Sequence, residues 1–191
     1  MRNVGNTDFH KAFLNSLEVI KSLLDIELEG DLELPFLRLL HVNAITALET
    51  FLSDAFINTV IRDRSLVRKF VETNPDFKKQ KFSLNEVFEK IDHIDNEVKQ
   101  YLLEIMWHNI EKVRKMYLNT LAIDFPGDLR DIFRAIVVRH DIVHRNGKTK
   151  TGEVIYLTRE HLQSLMGGIR ALADHIDSHF KLNEPIIEPE F

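Results

Sequence analysis

Apolar residues at helical spacing along most of the chain are the strongest constraint on its fold. Phe13, Leu17, Ile20 and Leu24 recur at i, i+4, i+7 and i+11, the stripe of an amphipathic helix from about Asp8 to Leu28. Pro35, a residue suited to a first helical turn, opens a second and longer helix that runs to about Ile61, with Leu48, Leu52, Ala55 and Phe56 keeping the spacing. The pattern weakens from Arg62 to Phe82, where a short helix gives way to Asn74-Pro75 and a lysine-rich loop. Ser83 and Glu86 read as a capping box opening a short helix through Val87, Phe88 and Ile91. Helical patterns follow over Val98–Trp107 and Ile110–Leu118. A break at Asp124–Asp128 comes next, with Asp128 as N-cap of a helix from Leu129 to about Arg145. Asn146-Gly147 stops that helix, "GKTKTGEVIYLT" reads as a loop or small hairpin, and Thr158 caps a final helix through Ile176.

The expectation is therefore an all-α fold. It is a helical bundle with a long middle excursion and a short loop or hairpin before the final helix, forming a single domain over residues 1–191. Its core spans about 8–179, and the proline-containing tail over 182–191 is expected to be mobile.

Composition limits the chemistry. Apolar residues make up 44% of the chain and include 13 Phe, enough for a full core. Without cysteine there are no disulfides, thiolate nucleophiles or Cys-based zinc sites. No apolar run near the ~20 residues of a membrane span and no secretory pattern are evident, so no membrane association and a cytoplasmic location are the expectation. The net charge of −5 argues against coating nucleic acid with the whole surface. Between Arg139 and Lys150 the sign reverses, with four Lys or Arg against Asp141 alone.

That reversal adjoins the most unusual stretch, "VVRHDIVHRNGK", which places Arg139, His140, Asp141, His144 and Arg145 in an apolar helical run. On a wheel with about 100° per residue and Ile132 at zero, Ile136 and Val143 lie within about 40° and Phe133 near 100°. Arg139 comes at about −20°, and His140 and His144 near 80° and 120°, which points all three into the apolar half. Val138 and Ile142 fall on the opposite side, so this helix is expected to be buried on both sides. The final helix or a second copy of the chain could supply the second cover, and a symmetric dimer would bring two Arg/His sets into one cleft.

Three readings of the stretch stand side by side. In the first, His140 and His144 at i, i+4 bind a metal as in H-E-x-x-H, or His140-Asp141 is the HD dyad of a phosphohydrolase. Asp141 is one methylene short of the general-base Glu, however, and nothing fixes the spacing of His41, His93 or His108 as further ligands. In the second, the residues are structural: Arg139 pairs with a buried carboxylate such as Glu49, with Asp141 as another structural carboxylate, and the histidines fill space near the helix end.

The third reading is a resemblance. Arg139 to His144 matches R-x4-H with a polar residue after the Arg, followed by Arg-Asn-Gly, toward the end of a penultimate helix. This resembles the HEPN superfamily, and its RiboL-PSP-HEPN subgroup in particular, over about Asp8–His179. "AITALETFLSDAF" is similar to the second long helix of such domains. The resemblance implies a metal-independent endoribonuclease without cofactor, acting as a homodimer whose two motifs line one cleft, in toxin–antitoxin, phage-exclusion or RNA-processing settings. It casts His144 as acid/base, Arg139 as binder of the scissile phosphate and His140 as the group orienting the phosphate or partner histidine. Arg145, Asn146, Lys148 and Lys150 would hold flanking RNA backbone. Two other functions stay open at this stage: a nucleotide- or partner-binding module working with a nucleotidyltransferase-type antitoxin, and a purely structural dimerisation domain. Lys78, Lys79 and Lys81 are left outside the site, since a lysine loop is commonly just solvated.

Overall fold

The Thr7 hydroxyl accepts from the His10 backbone N–H at 3.3 Å and so starts α1 (Asp8–Leu24). This is a computed structural model, and it describes residues 6–28 and 30–182. The expected mobile tail lies outside the described residues, apart from the helix end at Leu182. After α1 come α2 (Glu33–Arg62), α3 (Arg64–Thr73), α4 (Pro75–Lys78), α5 (Val87–Leu103), α6 (Ile110–Met116), a π-helical turn over Tyr117–Leu121, α7 (Arg130–Arg145) and α8 (Arg159–Leu182). Among the described residues there is no strand, only an antiparallel bridge between Lys148 and Val154 in the small turn before α8. The all-α architecture is as read from the sequence.

The bounds of α1 and α5 differ from expectation: α1 ends at Leu24, a turn short of Leu28. Ser83 does bond Glu86, its N–H donating at 2.9 Å, but the pair forms a turn ahead of the helix. The helix itself does not end near Ile91. It continues as α5 to Leu103, because Val98 and Leu102 extend its buried face.

The chain divides into two compact units, residues 1–48 with 126–191 and residues 49–125. In the first, α8 packs against α1 and α7. Phe13, Leu17, Ile20 and Leu24 are buried as the periodicity predicts, facing Leu162, Ile169, Leu172 and Ile176 of the same core. The Arg159 guanidinium fastens the start of α8 by donating to Glu33 at 3.1 Å and to the Ile26 carbonyl at 2.9 Å. In the second unit, the Phe56 ring lies 5.1 Å from Tyr117, 5.8 Å from Phe70 and 5.9 Å from Trp107. The Tyr117 hydroxyl donates to the Leu52 carbonyl at 2.7 Å. This unit covers the span expected as the middle excursion.

The stretch Gly30–Arg62 is long and apolar enough to cross a membrane, contrary to the reading that no such run exists. Its apolar side chains have another use: Leu37, Leu40, Ala44, Ile45, Leu48, Phe51, Leu52, Ala55 and Phe56 are buried within the chain.

Two stability predictions follow from these contacts. Tyr117→Phe, which removes one buried hydrogen bond and little volume, should cost about 1 kcal/mol in urea unfolding. Burial also holds the His41 imidazole below its usual pKa of 6.5, with the charge of His161 acting the same way and its bond to the Ala135 carbonyl opposing. The unfolded chain then binds a proton that the folded chain refuses, so stability falls as pH drops from the unfolded value through the folded one. His41→Gln, which keeps a donor for Ala135, should flatten the loss of stability between about pH 7 and 5.

Candidate active site

The end of α7 is set by local chemistry. Asn146 adopts the left-handed conformation (φ 52°) and Gly147 follows at φ 74°, with the Gly147 N–H donating back to the Asp141 carbonyl at 3.1 Å. Arg38 of α2 holds the loop beyond, donating to the Gly147 carbonyl at 3.1 Å and the Ile155 carbonyl at 2.8 Å. The guanidinium lies so close over Gly147 that a Cβ there would overlap it. Arg38 carried no signal in the sequence; a positive-φ glycine after a helix is the one hint that something packs close.

The face of α7 turned into its own unit carries Ile132, Ala135 and Asp141, flanked by half-buried Ile136, Val138, Arg139, Ile142 and Arg145. This corrects the wheel reading. His140 and His144 do not point inward; both are exposed, as are Phe133 (42%), Val137 (61%) and Val143 (48%). Val138 and Ile142, expected to need a second cover, have part of it from the chain's own unit. The sequence presented two apolar arcs on one helix, and small Ala135 marks the one that packs closely.

On the outward face, Phe133, Val137, His140 and His144 form a stripe at i, i+4, i+7 and i+11. The two imidazoles lie ring to ring at 4.6 Å between centroids. His140 is held below its usual pKa, first by desolvation from its neighbours and then by the charges of His144, Arg145 and Lys150, with Asp141 opposing. Arg139 sits round the helix from this stripe, half-buried, its Nε buried with no hydrogen-bond partner among the described residues.

The proposed structural carboxylates pair elsewhere. Asp141, buried, makes an ion pair with Arg145 one turn on and not with Arg139. Arg145 is thus partly committed to holding the helix end. Glu49 belongs to the other unit, where its Oε1 lies 3.9 Å from His108 Nδ1. Asn146, Lys148 and Lys150 are exposed on the loop after α7, and Lys78, Lys79 and Lys81 are exposed at and beyond the end of α4 in the second unit. Among the described residues, no three His, Cys, Asp or Glu side chains come together to hold a metal ion.

What this end of α7 offers is the half-buried Arg139 guanidinium, two exposed imidazoles and three further cationic or amide groups on a clamped loop. Such a set suits a phosphodiester: Arg presents a planar fork to phosphate oxygens, and His exchanges protons near neutrality.

Two measurements check this geometry. Gly147→Ala should displace Arg38 and strain the backbone, costing about 1–3 kcal/mol in urea unfolding. In an NMR titration, Lys150→Glu should raise the His140 pKa, since a repelling charge is replaced by an attracting one.

The sequence model of a family described as RiboL-PSP-HEPN matches residues 11–182 of the 191. No curated protein and no solved structure matches the chain.

Proposed function

The chain belongs to the RiboL-PSP-HEPN family, and on that premise we propose that it is a metal-independent endoribonuclease cleaving single-stranded RNA. The observation that carries the proposal is the outward stripe of Phe133, Val137, His140 and His144, an apolar helix face that ends in two imidazoles. A monomer gains nothing by exposing it; a second copy packed on it gains a composite site. In that dimer, Arg139 of one protomer and His144 of the other meet at the scissile phosphate.

The His144 imidazole takes the proton from the 2′-OH, the 2′ oxygen attacks phosphorus, and the bond to the 5′ oxygen breaks as the imidazolium so formed gives that proton to the leaving oxygen. Arg139 balances the charge gathered on the phosphorane oxygens. His140, its pKa lowered by desolvation and by its cationic neighbours, orients the phosphate or the partner histidine. Arg145, Asn146, Lys148 and Lys150 hold the flanking strand. The products are a 2′,3′-cyclic phosphate and a 5′-hydroxyl. The setting is cytoplasmic, in toxin–antitoxin, phage-defence or RNA-processing systems, and a toxin of this kind would need an antitoxin protein as a second partner.

Cleavage of single-stranded RNA in EDTA tests the proposal. Arg139→Ala and His144→Ala should each lose on the order of 10²- to 10⁴-fold in rate. Mixing the two inactive variants should restore activity, because a mixed dimer holds one intact Arg139–His144 pair across its interface. Equal background rates for wild type and both variants would remove catalysis and leave a binding module. Val137→Glu, a change at an exposed position, should give a folded monomer in sedimentation that no longer cuts.

A further inference from the structure

A cavity of about 590 Å³ opens in the first unit beside α7, between α2, α8 and the loop that Arg38 clamps. Residues of α7 from Asp131 to Val138 line it, ending one residue before Arg139. Its walls are mostly apolar, and three features make it more than a gap in packing.

The first is His41, only 4% exposed, which lines the cavity. Its Nε2 lies 2.9 Å from the Ala135 carbonyl, and a carbonyl can only accept, so Nε2 carries the proton. In the neutral ring Nδ1 is then a bare acceptor, and it makes no hydrogen bond among the described residues.

The second is the pair Gly167-Gly168 in the middle of α8. Glycine is the poorest helix former after proline. Packing does not demand it here, since a Cβ at either position meets nothing within 4 Å. Gly168 lines the cavity, so its missing side chain keeps that space open. The third is Tyr156, 74% exposed, an aromatic face on the cavity wall with the solvent on its other side.

A largely apolar slot with an aromatic wall and an imidazole nitrogen free to accept fits a heteroaromatic ring that carries an N–H donor. Resting on the ribonuclease reading, we infer that this cavity receives one base of the RNA strand, a nucleobase with an exocyclic amino group, stacked on Tyr156 and donating to His41 Nδ1. Uracil fits less well: its only base N–H lies between two carbonyl oxygens, which would face the lone pair of His41. Because the lining of α7 ends next to Arg139, the base held there flanks the phosphate to be cut.

Binding, not cleavage, is the test, so that the cavity and the enzyme stand or fall separately. Adenosine and uridine 5′-monophosphate are titrated calorimetrically into the intact wild-type chain. A6 and U6 oligoribonucleotides are titrated into the Arg139→Ala chain. Adenine should bind at least tenfold tighter than uracil in both arms. Gly168→Leu, which fills the slot and improves the helix, should raise Tm while weakening adenine binding tenfold or more, and Tyr156→Ala should weaken it with Tm unchanged. No binding of adenosine monophosphate, equal binding of uridine monophosphate, or binding unaltered by Gly168→Leu would overturn the inference. A change of oligomeric state in Gly168→Leu would also overturn it, by assigning the glycines to a chain–chain contact. If the mononucleotide responds to Gly168→Leu and A6 does not, the cavity serves a free nucleotide and its assignment to the RNA strand falls.

Discussion

The fixed step of the α-helix governs the site. Arg139 and His144 are five residues apart, which on an ideal helix sets them about 140° apart. Their Cα–Cβ bonds therefore leave the helix on different sides. In α7 the difference appears as burial: Arg139 hides its Nε while His140 and His144 stand in solvent. A second copy of α7, packed on the exposed Phe133 and Val137, is our proposal for bringing the guanidinium and the imidazole together.

The rest of the first unit keeps that helix in place. Ile132 and Ala135 anchor α7 in the core, the Asp141–Arg145 pair secures its last turn, and Arg38 fixes the loop that follows. The clamp draws the same loop in two directions. Its first half, Asn146 to Lys150, adjoins the histidines, and its second half, Ile155 to Leu157, lines the cavity beside α7. One guanidinium therefore orders both the loop residues proposed to hold phosphate and the wall on which a base is proposed to stack.

Much of the fold was legible because helical periodicity is local. The spans of α1 and α2, the stop at Asn146-Gly147 and the cap at Thr158 all follow from residues within a turn or two of each other. The phase of α7 was not legible for the same reason: Ile132, Phe133, Ile136, Val137, Val138, Ile142 and Val143 spread apolar character round the helix. Only the tertiary partner selects the buried arc. Small Ala135 was the available clue, since close helix packing favours small side chains over bulky ones such as Phe133. The Arg38 clamp and the His41 cavity join residues about a hundred positions apart, and no spacing rule reaches that far. Gly167-Gly168 was the visible trace of the cavity, a costly pair in an otherwise regular helix.

Whether two copies of α7 complete one phosphate site is decided by a crystal structure of the chain grown with inorganic phosphate. The expected result is paired α7 helices about a two-fold axis, with phosphate bound between Arg139 of one protomer and His144 of its partner. Phosphate held by a single protomer, or α7 helices facing solvent with no second copy against Phe133 and Val137, would contradict it.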